Sequence, residues 1–401
     1  MKKIMILSSN YTGHGHKSLC DAVTEQLSKR PDVEYQVIDG FELIGKAGVS
    51  ASKMYGPITQ NAKTLYDWFF QLSNRSTSNP MEELFAAMIY QRFMRRLRAF
   101  QPDLILTVHP FFNGSVLTLL NRYRLDVPFV ALQADIINIH RSWCDPRAIL
   151  TICPTPEAYE TSVKLHGMPP EKLEIIGFPT RARFCDYART HEHPEYQPGR
   201  PLKCLLMSGG EGTGNLKSFA LQLLQNVDCT LDIVTGRNAK VKKSLEECLT
   251  PKFQGRVKVH GFVEAMQELM ASSDLVIARG SPNTLMEAVV LNVPILITGS
   301  LPGQEADNPA VMTTHNLAAL CENPASAPAI IQALLADGGR RLRDISRSQR
   351  EYRNLDNAKI IADRLYEMSA PGKVSYSRIA RRMPPPSVQE AMEKFRTWAK
   401  S

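Results

Sequence analysis

The run RGSPNTLMEA (279–288) decides how this chain is read, together with LVIA (275–278) ahead of it and PILI (294–297) and LPGQEADN (301–308) behind it. Residues 275–278 form a short apolar run, which predicts a buried strand. A tight turn of Gly280, Ser281, Pro282 and Asn283 follows, and residues 284–290 read as a helix. Strand, turn and helix in that order aim helix-N-terminal amides at an anion, and a diphosphate suits that spot. Glu287 lies one turn into the helix, where its carboxylate can accept a pair of ribose hydroxyls. Residues 294–297 predict a second strand, and Gly303, Gln304 and Glu305 follow it with polar groups able to hold sugar hydroxyls. The layout fits a nucleotide-sugar site. The plainer alternative is an ordinary βα unit of a parallel sheet.

Outward from this stretch the same alternation recurs. In the first half, strands are predicted at 3–8, 35–38, 104–108, 129–132, 150–153 and 173–176. Helices are predicted at 18–29, 84–100 and 114–123. The helix at 84–100 is strongly amphipathic, with apolar residues at 84, 85, 88, 89, 93, 97 and 100. Residues 187–201 break the pattern, being polar with three prolines, and predict a linker. Strands at 204–207, 230–234 and 257–260 then begin a second set. The α/β alternation predicts two doubly wound parallel sheets. No close sequence repeat relates the halves. The tail from 375 is basic, is interrupted by three prolines at 384–386 and ends in a predicted helix at 387–399.

The chain has 401 residues, 43% hydrophobic and 22% charged, which supports packed cores rather than disorder. The formal net charge of +8 and a pI near 9.0 favour anionic partners. The eight cysteines form no CxxC pair, so zinc and redox motifs have no support, and isolated thiols in a reducing compartment are expected. No run reaches the roughly eighteen apolar residues of a spanning helix, so any membrane contact is expected to be peripheral. Residues 46–75 mix Trp68, Tyr55, Tyr66, Phe69 and Phe70 with lysines, the composition of an interfacial segment. Arg92, Arg95, Arg96 and Arg98 lie on the following helix, where they suit anionic lipid. A helix packed on the core with a solvated basic face explains them equally simply. No RNA-binding motif accompanies them, so no nucleic-acid partner is expected.

Three loops at strand ends carry candidate chemistry, and the carboxyl ends of strands are where open α/β sheets bind ligands. The first is SNYTGHGHKS (9–18). It lacks the third glycine of a dinucleotide fingerprint and the lysine spacing of a P-loop. His16 lies at the predicted helix start, where the dipole favours a neutral imidazole able to take a proton from a hydroxyl. The second loop ends LILTVHP (104–110) at His109. The third, QADIINIHRSW (133–143), offers Asp135 to orient or charge-stabilise a histidine. In the second half, SGGEGTG (208–214) lets backbone amides approach a diphosphate without Cβ obstruction. No Asp-x-Asp pair occurs, so no metal is expected and leaving-group charge falls to helix termini and basic side chains such as Arg237 and Arg279.

These motifs together resemble the glycosyltransferases of the monogalactosyldiacylglycerol synthase type, including bacterial processive diacylglycerol glucosyltransferases. A more distant relative adds N-acetylglucosamine to the lipid II precursor. The family's donor-site pattern is roughly K-A-G-P-G-T-hydrophobic-x-E-A followed by P-G-Q-E-x-x-N. Here Arg279 stands for the Lys, Gly280 for the Ala, and Ser281 and Asn283 for the two glycines. Pro282, Thr284, Glu287, Ala288, Pro302, Gly303, Gln304, Glu305 and Asn308 match. In the first loop Gly13, Gly15, His16 and Ser18 match, and an Asp that plant members carry near Tyr11 is absent. His109 resembles the family's S-V-H-P segment. Asp135, His140 and Trp143 resemble its T-D and H-P-x-W, with Ala134 and Arg141 departing. GGEG (209–212), TGRN (235–238, Thr235 for the usual Cys) and GFV (261–263) are similar to donor loops, the last meeting uracil through backbone.

The resemblance implies a GT-B fold of two facing Rossmann-like domains with a central cleft. Residues 1–186 would form the acceptor and membrane-binding domain, 187–201 the linker, 202–372 the UDP-sugar domain, and 373–401 a basic tail whose helix returns to the first domain. It implies inverting transfer of glucose or galactose from a UDP-hexose to diacylglycerol on the inner face of the cell membrane. His16 is the candidate base, with Asp135 supporting and no cofactor. Gly13, Gly15, His109, His140 and Trp143 would meet the acceptor. Gly209, Gly210, Gly212, Arg237, Phe262, Val263, Ser281, Asn283, Thr284, Glu287, Gln304 and Glu305 would meet the donor. Another lipid or soluble acceptor, or a non-catalytic UDP-sugar sensor, stays open from sequence.

Overall fold

The structure is a computed structural model and describes residues 1–10, 14–46, 48, 50, 80–207, 215–376 and 385–398. The chain divides into two compact units. The first comprises Met1–Arg181, Pro302–Gln304 and Asp356–Ser401, and the second Ala182–Leu301 and Glu305–Leu355.

In chain order the first unit begins β1 (Lys2–Ser8), α1 (His14–Leu27), β2 (Val33–Asp39), α2 (Gly40–Ile44) and α3 (Pro80–Phe100). It continues with β3 (Leu104–Thr107), α4 (Asn113–Arg122), β4 (Phe129–Leu132), β5 (Leu150–Cys153), α5 (Pro156–Lys164) and β6 (Leu173–Ile175). Its strands form one parallel sheet in the order β2-β1-β3-β4-β5-β6. The central strands are buried on both faces, which is why they read as continuous apolar runs rather than alternating ones. Ile89, Phe93 and Leu97 of α3, Phe41 of α2 and Phe112 pack on Met5, Leu7 and Ile105 to make the core.

The second unit opens with α6 (Ala182–Thr190) and runs β7 (Leu202–Met207), α7 (Leu216–Asn226), β8 (Cys229–Val234), α8 (Ala239–Leu249), β9 (Val257–His260) and α9 (Met266–Ala271). It closes with β10 (Leu275–Ala278), α10 (Pro282–Leu291), β11 (Ile295–Ile297), α11 (Asn308–Thr314), β12 (Ala319–Leu320) and α12 (Ala327–Tyr352). Its parallel sheet has the order β12-β11-β10-β7-β8-β9, the strand order of the dinucleotide-binding fold. From Leu285 to Leu291 every residue of α10 is buried, so this helix belongs to the core.

The segment at 187–201 differs from a free linker. Its first residues complete α6. The rest is strapped to the second unit: the Arg200 guanidinium reaches both Asp274 oxygens at 2.6 Å, and His193 Nε2 lies 2.8 Å from the Ser273 carbonyl. Proline and polarity carry no information about such side-chain anchors. The boundary at 372 also differs. The chain leaves the second unit at Leu355, and α13 (Asn357–Met368) lies against α1 in the first. There Lys2 Nζ donates to the Tyr366 carbonyl at 2.6 Å, the Tyr366 hydroxyl to Asp32 at 2.5 Å, and Arg30 pairs with Asp363. The final helix, α14 (Val388–Trp398), packs Ala391, Met392 and Phe395 on Leu84, Ala87 and Met88 of α3.

Candidate active site

In the first unit the strand order reverses around β1. The chain passes from β1 to β2 on one side and returns with β3 on the other, so the loops after β1 and β3 flank one crevice. His16 comes from the first loop and His109 from the second. Their ring centroids stand 4.4 Å apart. The first turn of α1 starts at His14, earlier than residue 18, and so carries Gly15 and His16. Gly13 lies outside the described residues.

His16 is 8% exposed, and its Nδ1 lies 2.7 Å from the Val108 carbonyl. A carbonyl only accepts, so Nδ1 bears the hydrogen and Nε2 the lone pair. Burial lowers its pKa to about 4, against a smaller upward effect of that bond. The cause is desolvation, where the sequence pointed to the helix dipole. His109 is also buried and held well below its usual range by burial and then by the neighbouring His16. Its Nδ1 accepts from the Phe111 amide at 3.4 Å, and Phe41 meets its ring edge-on.

Asp135, beyond β4, is buried. Its Oδ2 accepts from Trp143 Nε1 at 2.8 Å and its Oδ1 from Gln304 Nε2 at 2.5 Å. The partner that orients His16 is thus the Val108 carbonyl, while Asp135 is itself held by Trp143 and Gln304. Trp143 is fully buried, with its ring 6.2 Å from that of His16. It offers a ligand no open face and braces the carboxylate instead. His140 Nδ1 accepts from the Ser142 amide at 3.1 Å and lies 2.7 Å from its hydroxyl, fixing the short turn Arg141–Trp143. Asn138 Nδ2 donates to the Gly303 carbonyl at 2.8 Å.

In the second unit the reversal falls between β7 and β10. The loop after β7, with Gly209, Gly210 and Gly212, lies outside the described residues. The loop after β10 leads into α10 through Ser281, which is extended and whose side chain does not cap the helix. Pro282 starts the helix, where its missing N–H costs nothing. Asn283 and Thr284 are half-buried in the first turn, and Glu287 is buried one turn on. The loops after β10 and β11 are stitched together: the Gly280 amide donates to the Gly299 carbonyl and Asn308 Nδ2 to the Gly280 carbonyl, both at 2.8 Å. Arg279 Nε lies 3.1 Å from Glu305 Oε2. Burial raises the pKa of Glu305, with the charge of Arg279 opposing. After β8, Arg237 places its guanidinium 5.3 Å from the ring of Phe262, which is 63% exposed, and Val263 beside it is half-buried. Among the described residues no group of three or more His, Cys, Asp or Glu could hold a metal ion.

Residues 16–180 match the family model "Monogalactosyldiacylglycerol (MGDG) synthase", and residues 215–337 match "Glycosyl transferases group 1". The probable monogalactosyldiacylglycerol synthase 2 of Oryza sativa subsp. indica is 25% identical over 343 residues, covering 81% of this chain and 72% of that relative. Monogalactosyldiacylglycerol synthase 1 of Arabidopsis thaliana is 26% identical over 358 residues, covering 84% and 64%. Among solved structures, MurG of Acinetobacter baumannii superposes with TM-score 0.62 at 14% identity, over 92% of this chain and all of that one. The chain is a GT-B glycosyltransferase related to the monogalactosyldiacylglycerol synthases. The UDP-GlcNAc 2-epimerase of Neisseria meningitidis shares the fold too, with TM-score 0.60 at 14% identity over 92% of this chain. The GT-B fold alone therefore does not select the reaction.

Three features of this glycosyltransferase escaped the sequence reading: the Val108 carbonyl as the partner of His16, the Gln304–Asp135 bond and the Arg279–Glu305 pair. The first involves main chain, which no residue type reveals. The other two join residues 169 and 26 positions apart, and no local pattern encodes those pairings.

Proposed function

We propose that the chain transfers glucose or galactose from a UDP-hexose to diacylglycerol with inversion, forming a β-glycosyl glycolipid at the inner face of a cell membrane. The observation that carries this reading is His16. It is a neutral imidazole whose Nδ1 is committed to Val108 and whose Nε2 lone pair is available at the switch point of the sheet. In the reaction the acceptor oxygen bonds to the sugar C1 on the face opposite UDP. Its proton passes to His16 Nε2, and the C1–oxygen bond to the diphosphate breaks. Asp135 supports the site, its carboxyl oriented by Trp143 and Gln304. Gly13, Gly15, His109 and His140 shape the acceptor side.

On the donor side the first-turn amides of α10, with Ser281, Asn283 and Thr284, take the diphosphate. Glu287 takes the ribose hydroxyls, and Gln304 and Glu305 the sugar. Gly209, Gly210, Gly212, Arg237, Phe262 and Val263 complete the nucleotide side. Support for UDP comes from structural neighbours, one bound to UDP-GlcNAc and another, Anabaena HepE, in complex with UDP. Support for diacylglycerol comes from the names of the plant relatives. No described helix is long and apolar enough to cross a membrane. Arg92, Arg95, Arg96 and Arg98 of α3 are exposed and would meet anionic lipid. Most of the interfacial candidate at 46–75 lies outside the described residues.

The test is label transfer from UDP-glucose and UDP-galactose, run separately, to diacylglycerol in anionic vesicles. Lipid-extractable label with wild type, lost by a hundredfold or more in His16→Ala, is the expected result and names the donor. UDP binding without label from either donor sinks the diacylglycerol acceptor. It leaves another acceptor or a sensor.

A further inference from the structure

Arg279 stands where the resembling family carries Lys, and in this chain it does something a Lys does poorly. The loops after β10 and β11 are locked edge to edge by the Gly280–Gly299 and Asn308–Gly280 bonds, and Asn308 is fully buried. That frame brings the Arg279 side chain, 31% exposed, against the Glu305 carboxylate, 10% exposed. Nη2 donates to Oε1 at 3.4 Å, and the Leu301 amide donates to Oε2 at 3.1 Å. Nε stands 3.1 Å from Oε2 as an ion-pair contact too bent to be a hydrogen bond. A buried carboxylate with no countercharge is strongly disfavoured. The guanidinium supplies that charge and, being a planar fork, also fixes the rotation of the carboxylate. A carboxylate has roughly four lone-pair sites. Two hydrogen bonds leave lone-pair capacity on the carboxylate to accept a hydroxyl.

We propose that Arg279 is the positioning residue of the sugar subsite: it holds Glu305 in the single orientation that accepts a hydroxyl of the donor hexose, and its charge is engaged there rather than on the diphosphate. This rests on the proposed reading of Glu305 as a sugar contact. A lysine at 279 keeps the charge but loses the fork, and a methionine loses both.

The experiment is calorimetric titration of the full chain with UDP, UDP-glucose and UDP-galactose, on wild type, Arg279→Lys and Arg279→Met. Expected is UDP affinity unchanged within about twofold in both variants, with affinity for the hexose donor falling about tenfold in Arg279→Met and less in Arg279→Lys. Glu305→Gln provides the second arm. If Arg279 acts through Glu305, adding Arg279→Met to Glu305→Gln weakens the hexose donor by less than the product of the single effects. Equal loss of UDP and UDP-hexose in Arg279→Met makes Arg279 a diphosphate ligand and overturns the proposal. So does unchanged binding of all three nucleotides, or strict multiplicativity of the two variants. Wild type that binds neither UDP nor UDP-hexose refutes the donor-site reading itself, a result distinct from each of these.

Discussion

At the scale of the residue, His16 sets the pH behaviour. Its pKa falls from 6.5 to about 4 because burial penalises the imidazolium. The base therefore stays neutral well below the usual histidine range. We expect kcat/KM to hold level from pH 8 down to about 5, with its acid limb nearer 4. An acid limb centred on 6.5 would exclude His16 as the buried base. The same shift acts on stability. The unfolded chain binds a proton near pH 6.5 and the folded chain does not, so stability is full above 6.5 and declines as pH falls toward 4. A shift of about 2.5 units corresponds to about 3 kcal/mol. The wild type should lose more stability across that window than His16→Asn, measured as urea midpoints. The sequence named His16 and the neutral imidazole, because a histidine beside glycines at a strand end is a local signal. It missed the cause, because burial is a property of everything packed around the ring.

At the scale of the element, α2 shows how a five-residue helix steadies the site. Asp39 caps it, accepting from the Phe41 amide, and with its other oxygen accepts from the Asn10 amide on the loop that leads to His16. Phe41 then meets His109 and Phe112. Gly40 is required because a Cβ there would stand 2.1 Å from the Phe112 ring. We expect Gly40→Ala to cost about 1–3 kcal/mol through overpacking, read as a lower urea midpoint with unchanged slope. An unchanged midpoint would mean that Phe112 relaxes freely. Asp39 with Glu42 is a local start signal, but the contacts that hold so short a helix lie on α3 and on the turn after β3, far away in sequence. The 21-residue α3 was legible, because its apolar spacing repeats over several turns.

At the scale of the whole molecule, the chain leaves the first unit after Arg181, touches it again at Pro302–Gln304 and returns to it for good at Asp356. The proline-rich stretch after α6 is fixed by Arg200 on Asp274, whose side chain is 4% exposed while that of Arg200 keeps 35%. Removing the arginine leaves a buried carboxylate held only by the Lys203 amide. Arg200→Met should therefore destabilise the protein by about 2 kcal/mol, below the fully buried range because part of the guanidinium is solvated. A melting temperature equal to wild type would show the strap to be dispensable.

The sequence by itself determined the βα alternation, nearly every central strand, the two-sheet α/β class and the residues that gather at strand ends. Apolar runs, helical periodicity and Gly/Pro/Asn turns are local signals, and local signals survive in one dimension. Only the tertiary structure decided which of those residues meet. His16 reaches Val108 across 92 positions because β1 and β3 are neighbours in the sheet. Arg279 reaches Glu305 because β10 and β11 are neighbours. Trp143 braces Asp135 from within the core, eight positions along the chain. Strand order and burial are set by packing apolar faces from distant parts of the chain, and no window of sequence contains them.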